Sequence, residues 1–60
     1  MNTKQRMQLV INTGISLATV IKWDKGKEVT EANDKALRNE TKSLGFTREI
    51  EVSNSGKVVQ

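Results

Sequence analysis

The chain has no cysteine, no histidine, no proline and no tyrosine, and its 60 residues include one Trp and one Phe. Without Cys no disulfide framework can form. Without Cys and His there is no thiolate or imidazole metal site. Small secreted domains usually rely on cysteines, so a reducing, cytoplasmic setting is expected. Long hydrophobic runs are missing too. The longest mostly apolar stretch, Met7 to Trp23, is broken by Gln8, Asn12, Thr13, Ser16, Thr19 and Lys22. It cannot cross a membrane, and the opening MNTKQRMQLVI is too polar for a signal peptide.

Catalytic machinery is also missing. The carboxylates are Asp24, Glu28, Glu31, Asp34, Glu40, Glu49 and Glu51. None forms a convincing acid–base pair or metal cluster, because such pairs need burial and a fixed separation. There is no glycine-rich phosphate loop and no nucleophile–base pair. The chain is therefore expected not to be an enzyme and to need no cofactor.

Apolar residues make up 35% of the chain, and a domain of this size buries only about 60% of its unfolded surface. Such a thin core suits a dimer, a piece of a larger protein, or a domain stabilised by a nucleic-acid partner. Charge is unevenly placed. Residues 1–30 hold Lys4, Arg6, Lys22, Lys25 and Lys27 against Asp24 and Glu28. Residues 31–60 hold five basic and five acidic groups, so the whole net charge of +3 lies in the first half. That imbalance favours a polyanionic partner, although +3 is also ordinary for a solvated domain.

The richest pattern runs from Thr13 to Phe46. It reads as a turn, a short helix, a basic loop and a third helix closed by glycine. A first helix is expected over Thr3 to Asn12, with Thr3 as cap and Met7, Val10 and Ile11 at helical spacing. Ser16 caps a second helix that runs to about Lys25, where Leu17, Val20 and Ile21 recur at i, i+3, i+4. Gly26 stops it in a left-handed conformation. Thr30 caps the third helix, Glu31 complements its dipole, and Gly45-Phe46 looks like a Schellman ending after Leu44. Trp23, Leu37, Leu44 and Phe46 are the expected core, since aromatic burial dominates small cores. The tail at 47–60 reads as alternation, turn, alternation, REIEV-SNSG-KVVQ. It is either a β-hairpin or a flexible tail. One competing reading of the first half exists. QLVI-NTG-ISLATVIKW is rich in β-branched residues, and local propensity alone would make it a hairpin in a strand-paired dimer.

The stretch GISLATVIKWDKGKEVTEANDKALRNETKSLGF resembles the DNA-binding headpiece of the lactose-repressor family, over about residues 5–46. The matching elements are Gly14-Ile15-Ser16 in the turn, the Thr19-Val20 pair, the polar loop Asp24 to Glu28, Val29-Thr30, and Leu44-Gly45-Phe46. The general helix-turn-helix pattern agrees, with apolar residues at Leu9, Ile15, Val20 and Trp23, a small residue near Thr13, and glycine in the turn. The chain departs from the family at Val10, where Ala is usual, and at Leu17 and Ala18, where polar side chains are usual. The loop is about one residue short, and the family's hinge helix and effector domain are not visible, so no small-molecule effector is expected.

The resemblance implies a mostly α, three-helix helix-turn-helix domain at 1–46. It implies a small transcriptional regulator, of the repressor kind, that reads double-stranded DNA with residues 16–25 in the major groove. Lys22 stands where the family has a basic DNA contact. Leu17, Ala18 and Ile21 would meet thymine methyls. Ser16 and Thr19 would donate to phosphates near the helix start, and Lys25 and Lys27 would contact phosphates from the loop. A homodimer reading two half-sites is expected, and the size suits a phage or plasmid regulator by analogy. Each assignment has a plainer counterpart: Ser16 as a cap only, the lysines as solvated side chains. The apolar face of Leu17, Ala18 and Ile21 could instead bind another protein, since exposed apolar clusters mark interfaces.

Overall fold

The computed structural model describes residues 1–51, which form a mostly α fold. Its three main helices are α1 (Thr3–Thr13), α2 (Leu17–Asp24) and α3 (Glu31–Leu44), and residues 49–51 begin a further helical turn. No strand occurs among the described residues. The strand-paired reading of the first half therefore fails. QLVI lies in α1, where tertiary and capping interactions override its β-branched propensity. Of the tail read as a hairpin or a flexible tail, residues 49–51 are helical; residues 52–60 lie outside the described part.

Local chemistry explains each helix boundary. At α1 the cap is Asn2, one residue before the expected Thr3. The Gln5 N–H donates to Asn2 Oδ1 at 2.8 Å and the Asn2 N–H donates to Gln5 Oε1 at 3.2 Å. This reciprocal pair satisfies two backbone donors that the helix itself leaves unpaired. Ser16 caps α2 by accepting from the Thr19 N–H, and Thr30 caps α3 by accepting from the Asn33 N–H. α1 ends on Gly14 at φ +73°, whose N–H returns to the Val10 carbonyl at 2.9 Å. α2 ends through Gly26 at φ +81°, with the Gly26 N–H on the Trp23 carbonyl and the Lys27 N–H on the Lys22 carbonyl. Those two bonds are the Schellman pattern.

The core is Leu9 from α1, Val20 and Trp23 from α2, and Leu37 from α3. Met1, Val10, Ile15, Val29 and Phe46 pack around it, half-buried. α1 lies against both α2 and α3, so the first helix is the spine on which the other two rest. The Trp23 indole N–H donates to Asp34 Oδ1 at 2.8 Å, so the largest core side chain buries its ring without leaving its one donor unpaired. Leu44, expected in the core, is 38% exposed. Thr41, one turn after Leu37, takes the buried position instead, and its hydroxyl donates to the Leu37 and Arg38 carbonyls.

Candidate nucleic-acid interface

α2 is short, but its two sides differ sharply. Val20, Trp23 and Asp24 point inward and are buried. Ala18, Lys22 and Lys25 recur at i, i+4, i+7 and are exposed, so they share one face of the helix surface. Gly26 and Lys27 extend that exposed surface into the following turn. Only three residues, Gly14 to Ser16, connect α1 to α2. The left-handed Gly14 makes so tight a connection feasible. Thr13 reinforces it, its hydroxyl donating to the Leu9 carbonyl at 2.6 Å and accepting from the Ile15 N–H at 3.2 Å.

The expected contact residues do not all lie alike. Ser16 and Ala18 are exposed, as are Lys22, Lys25 and Lys27. Thr19 is half-buried, and its hydroxyl shares a 2.9 Å hydrogen bond with the Ser16 hydroxyl. One hydroxyl hydrogen of the pair is used internally, which leaves the other available to a further acceptor. Leu17 and Ile21 are half-buried rather than open. They therefore do not form, with Ala18, the open apolar cluster that a protein-docking face would need. Among the described residues, the large apolar side chains open to solvent are instead Met7 at 40%, Leu44 at 38% and Ile11 at 73%. Arg6, counted among the basic residues of the first half, is held internally.

What holds Arg6 is Asp24, which the family resemblance counts in a polar loop. It is the last residue of α2 and is fully buried. Its carboxylate accepts from Arg6 Nε at 2.9 Å, from the Glu49 backbone N–H at 2.8 Å, and from the Met1 ammonium at 3.1 and 3.2 Å. Arg6 Nη2 lies 2.8 Å from the same carboxylate and 3.2 Å from Glu49 Oε2. Burial by itself pushes the Asp24 carboxyl up. The Glu49 N–H, Arg6 and the Met1 ammonium outweigh it, so the group titrates below its ordinary value.

The electrostatic result is simple. Asp24 is the one acidic residue between Ser16 and Lys27, and it is out of solvent and compensated. The exposed surface of α2 and its turn therefore presents Lys22, Lys25 and Lys27 with no carboxylate among them. None of the three forms a salt bridge among the described residues. The described residues contain no cluster of His, Cys, Asp and Glu that could hold a metal, and no described helix is long and apolar enough to cross a membrane.

Sequence reasoning missed two residues that shape this site, Asp24 and Arg48. Arg48 stacks over the Trp23 ring at 4.1 Å and donates to the Trp23 carbonyl from Nε at 3.2 Å and Nη2 at 2.6 Å. A signal for Asp24 was present: an anion at a helix C-terminus opposes the dipole and demands nearby cations. No local signal announced Arg48. Comparison of the chain with family models, curated proteins and solved structures returns no match.

Proposed function

We propose that the chain binds double-stranded DNA as a small helix-turn-helix regulator, laying α2 in the major groove. The observation that carries this reading is the one-sided charge of α2. Its carboxylate is buried and neutralised by donors, while Ala18, Lys22 and Lys25 share an open face continuous with Lys27. A groove lined by phosphates on both walls attracts a surface of this kind. The tight α1–α2 connection and the resemblance to the lactose-repressor headpiece support the same reading.

Roles follow from position. Ser16 and Thr19 stand at the N-terminus of α2, where free N–H groups and the dipole favour a phosphate. Lys22 faces the base edges, with Ala18 one turn earlier small enough for close approach to a thymine methyl. Lys25 and Lys27 meet backbone phosphates at the far end of the helix. Leu17 and Ile21, half-buried, offer less surface to the groove than Ala18. A single module of this size makes few contacts, so two copies reading two half-sites are the natural assembly. Control of transcription, by repression, is the role that size and resemblance favour.

An NMR titration of labelled protein with a random-sequence duplex, at low and at moderate salt, tests this. Amides from Ser16 to Lys27 should shift selectively, and the shifts should fade as salt rises, because non-specific binding comes from counterion release. If those amides stay in place at low salt while the protein is folded, DNA binding through α2 is wrong.

A further inference from the structure

The tail after Phe46 does not simply leave the body; it returns across the C-terminus of α2 with three successive residues. Arg48 lies on the Trp23 ring and donates twice to the Trp23 carbonyl. The Glu49 N–H donates to Asp24 Oδ1, and the Glu49 carboxylate pairs with Arg6 from α1. Ile50 covers Gly26 so closely that a Cβ on that glycine would collide with its side chain. Trp23, Asp24 and Gly26 thus each meet one residue of the tail, in register. Gly26 is also the residue that separates Lys25 from Lys27.

Those contacts bear on the final carbonyls of a helix, which are otherwise left to solvent. In α2 the Ile21 and Lys22 carbonyls are taken by the Lys25 and Lys27 N–H groups. The Trp23 carbonyl receives the Gly26 N–H and the Arg48 guanidinium together. A two-donor guanidinium fork over an aromatic ring is a rigid attachment, and lysine cannot reproduce its stacking or its fork. The turn that carries Lys25 and Lys27 is therefore held from behind by side chains that do not themselves belong to the exposed basic face.

Resting on the DNA reading above, we propose that Arg48, Glu49 and Ile50 form a clamp that fixes the Lys25–Gly26–Lys27 turn in the conformation that delivers both lysines to phosphates. Arg48 is a positioning residue here. It acts through Trp23 and the turn, and it does not touch the DNA. Without the clamp the two lysines keep their charge but sample many orientations. Each phosphate contact then carries an ordering cost that the clamped turn has already met.

Two variants and two readouts test the clamp. In the free protein, amide exchange at Lys27, whose N–H bonds the Lys22 carbonyl, should speed up about tenfold in Arg48→Ala. Amides of Leu9 and Leu37 should keep their protection, which establishes that the variant is folded. With a random-sequence duplex, Arg48→Ala should lose about tenfold in affinity, and the slope of log affinity against log salt should fall by about one to two. Arg48→Lys should behave like Arg48→Ala in both assays. If Arg48→Lys binds like the wild type while Arg48→Ala does not, Arg48 acts by charge on the DNA and the clamp is overturned. Unchanged Lys27 exchange in a folded Arg48→Ala protein overturns it as well. Absence of salt-dependent duplex binding by the wild type overturns the DNA reading and the delivery of lysines with it, and the exchange result then judges the clamp alone.

Discussion

On its inner side α2 holds a carboxylate that receives four donors, from Met1, Arg6 twice and the Glu49 backbone. On its outer side it holds Lys22, and the turn that follows adds Lys25 and Lys27, all three with no salt-bridge partner among the described residues. One short helix and its turn thus carry a fully compensated charge on one face and uncompensated charge on the other. The inner arrangement is costly to build, because a buried charge must recover its lost hydration from fixed partners. The outer one costs little in water and gains when an anion arrives. The difference separates two roles: stability depends on long-range partners of the inner face, and the proposed DNA recognition on side chains of the outer face that touch little else. Substitutions on the two faces should therefore separate cleanly, folding from binding.

The largest effect is expected at the centre of the inner face. Trp23→Ala removes the largest core side chain, the Asp34 hydrogen bond and the platform for Arg48. Large-to-small aromatic changes in cores cost about 3–5 kcal/mol. For a domain this small that is most of the stability available. Urea denaturation followed by far-ultraviolet circular dichroism should find the variant largely unfolded at room temperature. A variant that melts within about 1 kcal/mol of wild type would mean that Trp23 is not the anchor of the three helices.

Asp24→Asn comes next. It leaves Arg6 and the Met1 ammonium beside a neutral amide, and it turns an acceptor-only group into one with two donors. Breaking a buried pair on one side costs about 2–4 kcal/mol here, less than a fully enclosed pair because Arg6 reaches solvent. The pH dependence carries the same information. The folded-state pKa of Asp24 lies below its ordinary value of 3.8. A depressed carboxylate contributes stability that is fully present above that ordinary value and is lost as pH falls through the folded pKa. Wild-type stability should therefore hold from neutral pH down to about pH 5 and fall below pH 4. Asp34, held low by Arg38 and by the Trp23 N–H, works in the same direction. In Asp24→Asn the acid limb should be shallower, with the remaining slope due to Asp34 and the other carboxylates. Parallel acid limbs in the two proteins would show that Asp24 is not engaged as described.

The inner and outer faces also differ in how much of them the sequence reveals. Ser16 and Thr30 as caps, and Gly26 and Gly45 as left-handed ends, are legible because each acts on residues within about one helical turn. The outer lysines are legible for the same reason, since helical spacing alone puts Lys22 and Lys25 beyond Ala18. Asn2 in place of Thr3 shows the limit of local reasoning: the decisive feature was the reciprocal partner Gln5, not the preference of one residue. The inner hub was not legible. Asp24 finds Arg6 eighteen residues earlier and Glu49 twenty-five residues later, and Arg48 finds Trp23 across a similar distance. Such pairings are fixed by how the helices pack, and no spacing rule encodes them. Residues 48–51 were ambiguous for the same reason. Their alternation suits a strand, yet residues 49–51 turn helical where Glu49 and Ile50 meet Asp24 and Gly26.

The smallest effect on stability, and the sharpest on the comparison, is expected at Lys22. The residue is exposed in the last turn of α2 and forms no salt bridge among the described residues. Lys22→Ala removes a cation that favours the helix C-terminus, a few tenths of a kcal/mol, and gains about as much in helix propensity. The melting curve should therefore be that of the wild type within about 0.5 kcal/mol. Binding to a random-sequence duplex should nevertheless weaken, with the salt slope falling by about one for the lost cation. Against a selected operator the loss should be larger at some base pairs than at others, because a side chain facing the base edges discriminates as well as attracts. A loss that is equal at every base pair would place Lys22 on the phosphates and move base reading elsewhere on α2. An unchanged salt slope would remove Lys22 from the interface altogether, and the outer face of α2 would then lose its central contact.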